Sequence, residues 1–361
     1  MENQKSKKTI FVGISGGVDS SVAAALLKDQ GHKILGVFIR TWQPDWIECT
    51  WKDERRDAMR VCAHLDIPFV ELDLEKDYKE GVADYMIAEY KLGRTPNPDV
   101  MCNREVKFGG FLRWALAHGA DYVATGHYVD REVLEDGKVQ MLRGNDPQKD
   151  QSYFLWTLQQ NQMKHILFPV GNIPKSRVRE LALKYSIPVA TKKDSQGICF
   201  IGDIDMKEFL SHYIDEQVGE VLNEQGETIG QHNGSLFYTI GERHGFIIDR
   251  KGTDDKPYYI IAKDLQVNTI TVSQKPQEQA KSQREYTLES VIDNQGILKS
   301  GMKIESQIRY RGKVKKMTII SFAENLLTMK ITFDESDATI AAGQSVVFYN
   351  GDVCLGGGII A

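Results

Sequence analysis

The sequence predicts an α/β protein that begins with a parallel, doubly wound sheet and continues into a small β-rich central domain and a C-terminal antiparallel β-barrel. Apolar strands alternate with helices up to about residue 205, as in βαβ units. Beyond that point helical patterns fade and short β-rich runs appear between Gly and Asn residues. The 361 residues also exceed one hydrophobic core, which rarely grows past roughly 250–300 residues. We therefore predict domains over 1–205, 206–280 and 281–361.

The N-terminal elements alternate regularly along the chain. Strands are expected at 9–14, 33–39, 67–72 and 121–125, and helices at 21–28, 52–65, 76–91, 104–118 and 174–185. The stretch 92–99 contains two prolines and a glycine, so we expect a mobile loop there. Ligands of such sheets bind outside the carboxyl ends of the strands, where the 15–20 loop, 39–41 and 126–127 should meet.

The β-rich half is less regular. In the central domain we expect β-structure at 234–239, 258–261 and 269–272, followed by a linker at 275–279. The barrel strands are expected at 303–310, 316–322, 326–333 and 345–349.

Composition and charge exclude several protein classes. Hydrophobic residues make up 41% and charged residues 26%, as in ordinary globular proteins. No apolar run approaches the roughly 18 residues of a membrane span, and the start has no apolar signal region, so we expect a cytoplasmic protein that does not bind membranes. The net charge of −5 argues against general affinity for nucleic acids, although local basic patches still allow selective binding.

The five cysteines do not form a recognisable framework. Their number is odd, their spacings are wide and no Cys-x-x-Cys pair occurs. This pattern argues against both a disulfide scaffold and a zinc ribbon. Three of them are expected to be small buried apolar residues, while Cys102 and Cys199 lie among Gly, Pro, Asp and Asn.

A glycine-rich loop, Ser15-Gly16-Gly17-Val18-Asp19-Ser20, follows the first strand and leads into a helix. Bare backbone at the two glycines and a helix N-terminus suit phosphate binding. Asp19 would repel phosphate unless it held a cation, which implies Mg²⁺. The loop is neither a Walker A sequence nor a dinucleotide fingerprint, and the alternative is a tight turn that binds nothing.

This loop resembles the pyrophosphatase-type loop of the N-type ATP pyrophosphatases, which adenylate a carbonyl oxygen and release pyrophosphate. Four further segments resemble the tRNA-specific 2-thiouridylase family, and the resemblance extends over essentially the full length. They are Asn97-Pro98-Asp99-Val100-Met101-Cys102-Asn103, Thr125-Gly126-His127-Tyr128, Lys149-Asp150-Gln151-Ser152-Tyr153-Phe154-Leu155 and Asp194-Ser195-Gln196-Gly197-Ile198-Cys199-Phe200-Ile201-Gly202. The resemblance implies an adenine nucleotide alpha hydrolase-like N-terminal domain and a tRNA-uridine 2-sulfurtransferase.

The implied reaction is ATP-dependent 2-thiolation of the wobble uridine, position 34. Replacing an oxygen by sulfur requires that the oxygen become a leaving group and that a sulfur nucleophile be delivered. By the resemblance, Cys199 carries the persulfide and Cys102 is the partner nucleophile that leaves a disulfide. Asp99 precedes Cys102 by three residues, which would place both on one face of a helical turn and makes Asp99 a candidate general acid/base at the target base.

The resemblance also assigns binding residues. For ATP these are Gly13, Ile14, Ser15, Gly16, Gly17, Val18, Asp19, Ser20, Ile39 and Gly126. For the anticodon stem-loop of tRNA they are Asn97, Pro98, Asp99, His127, Lys149, Asp150, Gln151, Arg309, Tyr310 and Gln344. A sulfur donor, such as a cysteine desulfurase or a sulfur-relay protein, is a further implied partner.

The residues alone leave alternatives. The basic cluster at 309–316 is either a solvated hairpin or an RNA contact, with Arg309, Arg311 and Lys313 on one face if the segment is a strand. Some relatives use a third cysteine to hold an iron–sulfur cluster, and here Asp99 stands three positions before Cys102, which favours the persulfide route although aspartate also ligates iron. Another ATP-dependent ligase, an RNA-binding scaffold and a thiolase of a different base are the rival functions.

Overall fold

The computed structural model describes residues 7–47, 51–194, 199, 205–249, 256–275, 284–323, 325, 327–337 and 339–361. In that part of the chain the strands form three sheets, and they confirm the predicted succession of a parallel α/β sheet, a β-rich centre and an antiparallel barrel. All but the first residue of the predicted linker at 275–279 lies outside the described residues.

The N-terminal sheet has five parallel strands. From one edge to the other they are Phe69–Asp73, Lys33–Arg40, Thr9–Gly13, Tyr122–Ala124 and Ile166–Leu167. The chain leaves the first strand toward one edge and later returns to its other side, so the topological switch point lies between Thr9–Gly13 and Tyr122–Ala124. Ligand sites in doubly wound sheets lie at the carboxyl ends of the strands at this point.

Helices cover the sheet, and two of the predicted helix starts are wrong. Longer helices span Val18–Asp29, Trp51–His64 and Lys175–Lys184. Two composite runs each have a π-helical middle: Glu75–Tyr78, Lys79–Asp84 and Tyr85–Lys91, then Pro98–Met101, Cys102–Phe111 and Leu112–Ala117. Short helices are Gln160–Met163 and Met206–Ser211, with 3₁₀ turns at Ser152–Phe154 and Ser235–Phe237.

The two corrections concern functional segments. The helix expected from residue 21 already begins at Val18, so the end of the glycine-rich segment is helical. The helix expected from residue 104 begins at Pro98, because the Asn97 side chain accepts the backbone N–H groups of Asp99 and Val100 and so caps it. The expected loop over 92–99 therefore ends earlier than predicted, and Cys102 lies in a helix.

The central sheet runs in the order Ile247–Ile248, Thr228–His232, Gly219–Leu222, Thr269–Ser273 and Tyr259–Asp264. The last two strands confirm the predicted runs at 258–261 and 269–272. The predicted β-structure at 234–239 is wrong, since Ser235–Phe237 is a 3₁₀ turn that follows Gly234 at a φ of 135°.

The C-terminal sheet closes into a six-stranded antiparallel barrel. Its strands, in order, are Glu285–Asp293, Thr328–Phe333, Lys315–Ala323, Lys303–Gln307, Ser345–Asn350 and Val353–Ile360, and the last pairs with the first. An N-terminal hairpin, Val129–Val133 and Val139–Arg143, extends the sheet by pairing with Val353–Ile360. This unpredicted hairpin attaches the barrel to the α/β part of the chain through backbone hydrogen bonds. The three domain limits stay predictions.

The basic cluster at 309–316 does not have the predicted geometry. The strand ends at Gln307, the next begins at Lys315, and Arg311 adopts a φ of 57° in the intervening turn. Alternate positions of this cluster therefore do not share a strand face. Among the described helices, none has the length and apolar character that crossing a membrane requires.

Candidate active site

The phosphate loop joins the first strand to the first long helix at the switch point of the sheet. Gly17 is the N-cap residue of that helix and offers no side-chain hydrogen bond to the first-turn amides. Gly16 has a φ of 73°, and a Cβ there would lie 2.5 Å from the carbonyl oxygen of Glu54. The loop therefore requires glycine at position 16 and leaves a helix N-terminus without a capping side chain, which is an anion-binding arrangement.

Gly126 allows the neighbouring strand end to pack against this loop. A Cβ at Gly126 would lie 2.5 Å from the backbone nitrogen of Ser20. Ser20 Oγ in turn accepts a hydrogen bond from the backbone N–H of Ser15 at 3.3 Å. Ile14 and Ile39, at the ends of adjacent strands, are both buried. The structure thus brings the predicted nucleotide residues, from Gly13 to Ser20 with Ile39 and Gly126, to the carboxyl ends of neighbouring strands.

Asp19 is neutralised by a lysine. Lys175 Nζ lies 2.7 and 2.8 Å from its two carboxylate oxygens, and the Tyr128 hydroxyl donates to Oδ1 at 2.7 Å. Asp19 therefore does not need a cation of its own to lie beside phosphate, and it does not fit the role of a free Mg²⁺ ligand. Within the described ranges, no group of three His, Cys, Asp or Glu side chains is arranged to hold a metal ion.

A second carboxylate extends this ionic network. Asp194 contacts Lys175 at 2.7 Å and both Lys149 and Arg179 at 2.6 Å. Partial burial would raise the pKa of Asp194, but hydrogen bonds from Lys149 and Lys175 outweigh it and lower the pKa to about 2. Asp194 thus stays ionised and links the phosphate loop, through Lys175, to the chain segment that leads to Cys199.

The two cysteines predicted to react lie in contact. The Cys102 thiol donates to the sulfur of Cys199 across 3.4 Å, although the residues are 97 positions apart. The backbone N–H of Cys199 donates to Asp99 Oδ1 at 3.1 Å. Cys102 is fully buried, whereas Asp99 and Cys199 are partly exposed. The remainder of the predicted motif, Ser195 to Ile198 and Phe200 to Gly202, lies outside the described residues.

The surroundings differentiate the two thiols. The hydrogen bond from Cys102, assisted by the charge of Lys107, lowers the pKa of Cys199 against the effect of its burial. Burial and the neighbouring thiol raise the pKa of Cys102 well above its ordinary value. Burial also raises the pKa of Asp99, although the N–H of Cys199 opposes the shift. The site therefore favours the thiolate form at Cys199 over that at Cys102, and it favours a proton on the Asp99 carboxyl group more than water would.

Sequence reasoning missed two residues of this site. The Tyr78 hydroxyl donates to the carbonyl oxygen of Cys199 at 2.8 Å, and Lys107 lies beside both cysteines. His127, predicted to contact tRNA, is only 7% exposed and hydrogen-bonds Thr125 and Lys107. The five-residue spacing from Cys102 to Lys107 does not by itself indicate that the two side chains lie together, because it places them on one face only where the helix is π-helical.

A cavity of about 440 Å³ opens where the helical, central and barrel parts meet. It gathers four of the predicted tRNA residues, Asn97, Arg309, Tyr310 and Gln344. Arg309 Nη2 donates to the carbonyl oxygen of Thr339, which holds its guanidinium at the cavity. Residues distant in sequence thus line one opening beside the helix that carries Asp99 and Cys102.

The other predicted tRNA residues are engaged in different ways. Lys149 pairs with Asp194, and Gln151 Oε1 accepts the backbone N–H of Tyr128 at 3.0 Å. Asp150 pairs with Arg143 and lines a second cavity of about 340 Å³ with it and Arg311. Pro98 occupies the first turn of its helix. The structure does not place this group in one cavity.

Comparison with protein families finds three consecutive matches. Residues 8–203 match a "tRNA methyl transferase HUP domain", 207–274 a "tRNA methyl transferase PRC-barrel domain" and 287–360 an "Aminomethyltransferase beta-barrel domain". The first match alone covers more than half of the chain.

Several bacterial proteins are similar over their whole length, and each bears the name tRNA-specific 2-thiouridylase MnmA. The protein of Streptococcus mutans is 44% identical over 98% of this chain and 95% of its own. That of Staphylococcus epidermidis is 45% identical over 97% and 94%, and that of Bacillus subtilis 44% over 100% and 96%. Among solved structures, the U34-tRNA thiolase NcsA of Methanococcus maripaludis matches with a TM-score of 0.37 at 18% identity, covering 60% of this chain and 67% of that one.

Proposed function

The chain belongs to the tRNA-specific 2-thiouridylase family, and from that premise we propose that it replaces the C2 oxygen of uridine 34 in tRNA by sulfur. ATP activates the oxygen, and the products are 2-thiouridine, AMP and pyrophosphate. One observation carries the proposal: the sulfurs of Cys102 and Cys199 lie 3.4 Å apart beside Asp99. The methyl transfer named in the family descriptions would give this thiol pair no role.

The phosphate loop suits the first step, adenylation of the C2 oxygen. The uncapped amides after Gly17 and the bare backbone of Gly16 and Gly17 can receive phosphate oxygens. Lys175 keeps Asp19 from repelling them. When bound, Mg²⁺ would neutralise charge on the ATP phosphates. Because Lys175 occupies the Asp19 carboxylate, we assign the ion no ligand and no step.

Sulfur transfer then uses both cysteines. The Cys199 thiolate attacks the outer sulfur of a persulfide on an external donor, a cysteine desulfurase or a relay protein. The donor S–S bond breaks, the donor cysteine leaves as a thiolate, and Cys199 becomes a persulfide. Its terminal sulfur anion attacks C2, and the C2–O bond breaks as AMP leaves with the electron pair. Cys102, having lost its proton to water, attacks the Cys199 sulfur and breaks the S–S bond, whose electron pair remains on the sulfur at C2.

Asp99 completes the proton balance. Adenylation removes the N3 proton of the uridine, and Asp99, whose pKa is raised by burial, accepts it. The same group returns that proton when 2-thiouridine forms. The enzyme is left with a Cys102–Cys199 disulfide, and a dithiol reductant must supply two electrons before the next cycle.

The tRNA reaches the site from the cavity beside Asn97. A base must leave its stack to react, as base-modifying enzymes require. Arg309, Tyr310 and Gln344 line this opening and can contact the anticodon stem-loop, with Arg supplying phosphate contacts. Because its substrate is tRNA, we expect the protein in the cytoplasm.

Nucleoside analysis of tRNA tests the proposal. Cells that lack the gene should lose 2-thiouridine at position 34 and regain it with the wild-type gene but not with Cys199→Ser. An unchanged 2-thiouridine content in the deletion strain would contradict the proposal. Loss of sulfur from a different tRNA base would instead identify a thiolase of other specificity.

A further inference from the structure

The helix that carries Cys102 is wound so that a lysine comes under the two reacting sulfurs. In an α-helix of 3.6 residues per turn, a residue five positions on points about 140° away from the first. From Cys102 to Phe111, however, the helix is π-helical, and its hydrogen bonds join residues five apart. Lys107 is five residues after Cys102 and therefore returns to the face of that cysteine. Its ammonium reaches hydrogen-bonding range of the Cys199 sulfur.

A histidine holds the lysine head group in place. Lys107 Nζ lies 3.4 Å from His127 Nε2, and His127 Nδ1 lies 2.7 Å from Thr125 Oγ1. An ammonium has only donors, so Nε2 must accept and Nδ1 must carry the ring proton and donate to Thr125. Burial and the charge of Lys107 lower the pKa of His127 well below its ordinary value, which keeps this tautomer neutral. The ring packs 5.7 Å from Phe108, which fixes its plane.

The charges around the cysteines make this lysine necessary. The groups that face one another here are Asp99, Tyr78 and the two thiols. Each of them is neutral when protonated and negative when deprotonated, so none can supply a positive charge. Among the described groups that act on these sulfurs, Lys107 is the cation. Burial alone would lower the pKa of Lys107, but the charges of Cys199, Cys102 and Asp99 raise it, so the ammonium persists.

We propose that Lys107 is a catalytic residue whose ammonium is the counter-charge of the sulfur anion on Cys199, first as thiolate and then as persulfide. His127 and Thr125 are its positioning residues, and His127 acts through Lys107 instead of touching tRNA. This inference rests on the proposed sulfur transfer, but it concerns a property of the free protein. No bond forms to Lys107 and it keeps its protons throughout.

Alkylation of Cys199 tests the inference without tRNA or ATP. Purified wild type, Lys107→Met and Lys107→Arg are treated with iodoacetamide between about pH 6 and pH 9, and the Cys199 peptide is quantified by mass spectrometry. Partial exposure makes Cys199 accessible, whereas Cys102 is fully buried. Lys107→Met should lower the alkylation rate at pH 7 about tenfold and move the profile up by about one pH unit. Lys107→Arg, which keeps the charge, should remain within about threefold of wild type.

A Lys107→Met profile that coincides with wild type overturns the inference. If that variant does not fold, as judged by circular dichroism, Thr125→Val replaces it, because loss of the Thr125 acceptor frees the histidine to adopt the other tautomer. Thr125→Val should shift the profile in the same direction by a smaller amount, with Thr125→Ser as its matched control, and no shift again overturns the inference. The two proposals fail in different ways. If Lys107→Met shifts the Cys199 profile as expected but cells that lack the gene keep their 2-thiouridine, the proposed function is refuted and the lysine assignment stands.

Discussion

The phosphate loop and the cysteine site both belong to the N-terminal α/β part of the chain, yet they are built in opposite ways. The loop is a contiguous run whose acid, Asp19, belongs to an ionic network with Lys175 and Asp194. The cysteine site joins residues 97 positions apart, and its groups titrate in crowded, desolvated surroundings. In the first region a carboxylate charge is paired with a lysine, whereas in the second the site consists of two thiols and a carboxyl group whose pKa values are shifted by burial and by one another. The comparison predicts that the two half-reactions can be separated by substitution.

The largest expected effect comes from removing the carrier sulfur. Cys199→Ser should lower thiolation by more than about 1,000-fold, because a hydroxyl cannot form a persulfide, while ATP–pyrophosphate exchange stays within about threefold of wild type. Thiolation is measured by mass spectrometry of digested tRNA, and exchange with labelled pyrophosphate. Cys62→Ala is the matched control, since Cys62 is buried away from these contacts and should retain both activities. Exchange that falls together with thiolation would mean that the two regions are not separable.

A substitution in the phosphate loop should reduce both ATP–pyrophosphate exchange and thiolation, unlike the substitution of Cys199. In Gly16→Ala the new Cβ would meet the carbonyl of Glu54 at 2.5 Å in a left-handed backbone conformation, so the loop must move. We expect exchange and thiolation to fall together by about 100-fold, since adenylation precedes sulfur transfer. Gly31→Ala is the control, because Gly31 has a φ of 84° with open space around it. It should cost about 1–2 kcal/mol of stability from the backbone alone and leave both activities unchanged.

Lys175 tests whether charge compensation is what makes the loop work. Lys175→Met leaves Asp19 uncompensated beside the phosphates, and we expect the KM for ATP to rise about tenfold with a smaller change in kcat. Replacing Asp19 by Asn in the same variant should recover part of the loss, because the repulsion disappears. Lys184→Met, at the far end of the same helix, should have no effect. A double variant no better than Lys175→Met would show that the lysine acts on ATP directly.

The same contrast explains what the sequence could predict. The strand, loop and helix around Gly16 and Gly17 are contiguous, so their residue order predicted a loop between a strand and a helix, although not the helix start at Val18. The Cys102–Cys199 contact depends on the tertiary fold and entered the prediction through family resemblance. The position of Lys107 depends on π-helical winding, for which the sequence offers no periodic signal. The second strand of the unpredicted hairpin, Val139–Arg143, pairs with Val353–Ile360, more than 200 residues later, and no local pattern indicates that pairing.

The ion pairs of Asp194 should make the free energy of unfolding depend on pH. Its pKa of about 2 lies below the roughly 3.9 of an unfolded aspartate, so the folded state favours the ionised form. This contribution is present above about pH 4 and is lost as the pH falls toward about 2. Asp194→Asn should reduce the unfolding free energy at pH 7 by about 1 kcal/mol, a value discounted for its exposure to solvent. Urea unfolding of both proteins should show the difference narrowing below about pH 4, and a difference independent of pH would contradict it.

The smallest effect is expected in the barrel turn, which belongs to neither region. Arg311 donates to the carbonyl oxygen of Gln148 and lines the second cavity with Arg143. If the turn contributes one phosphate contact, Arg311→Ala should raise the KM for tRNA about two- to threefold and reduce the salt dependence of that KM by about one unit of slope. The KM for ATP and the alkylation of Cys199 should not change. Lys299→Ala, an exposed barrel residue that lines neither cavity, is the control. A change in the alkylation of Cys199 would instead mean that the barrel turn helps to position the sulfurs. The connection would run from Arg311 to Gln148 and from the adjacent Lys149 to Asp194.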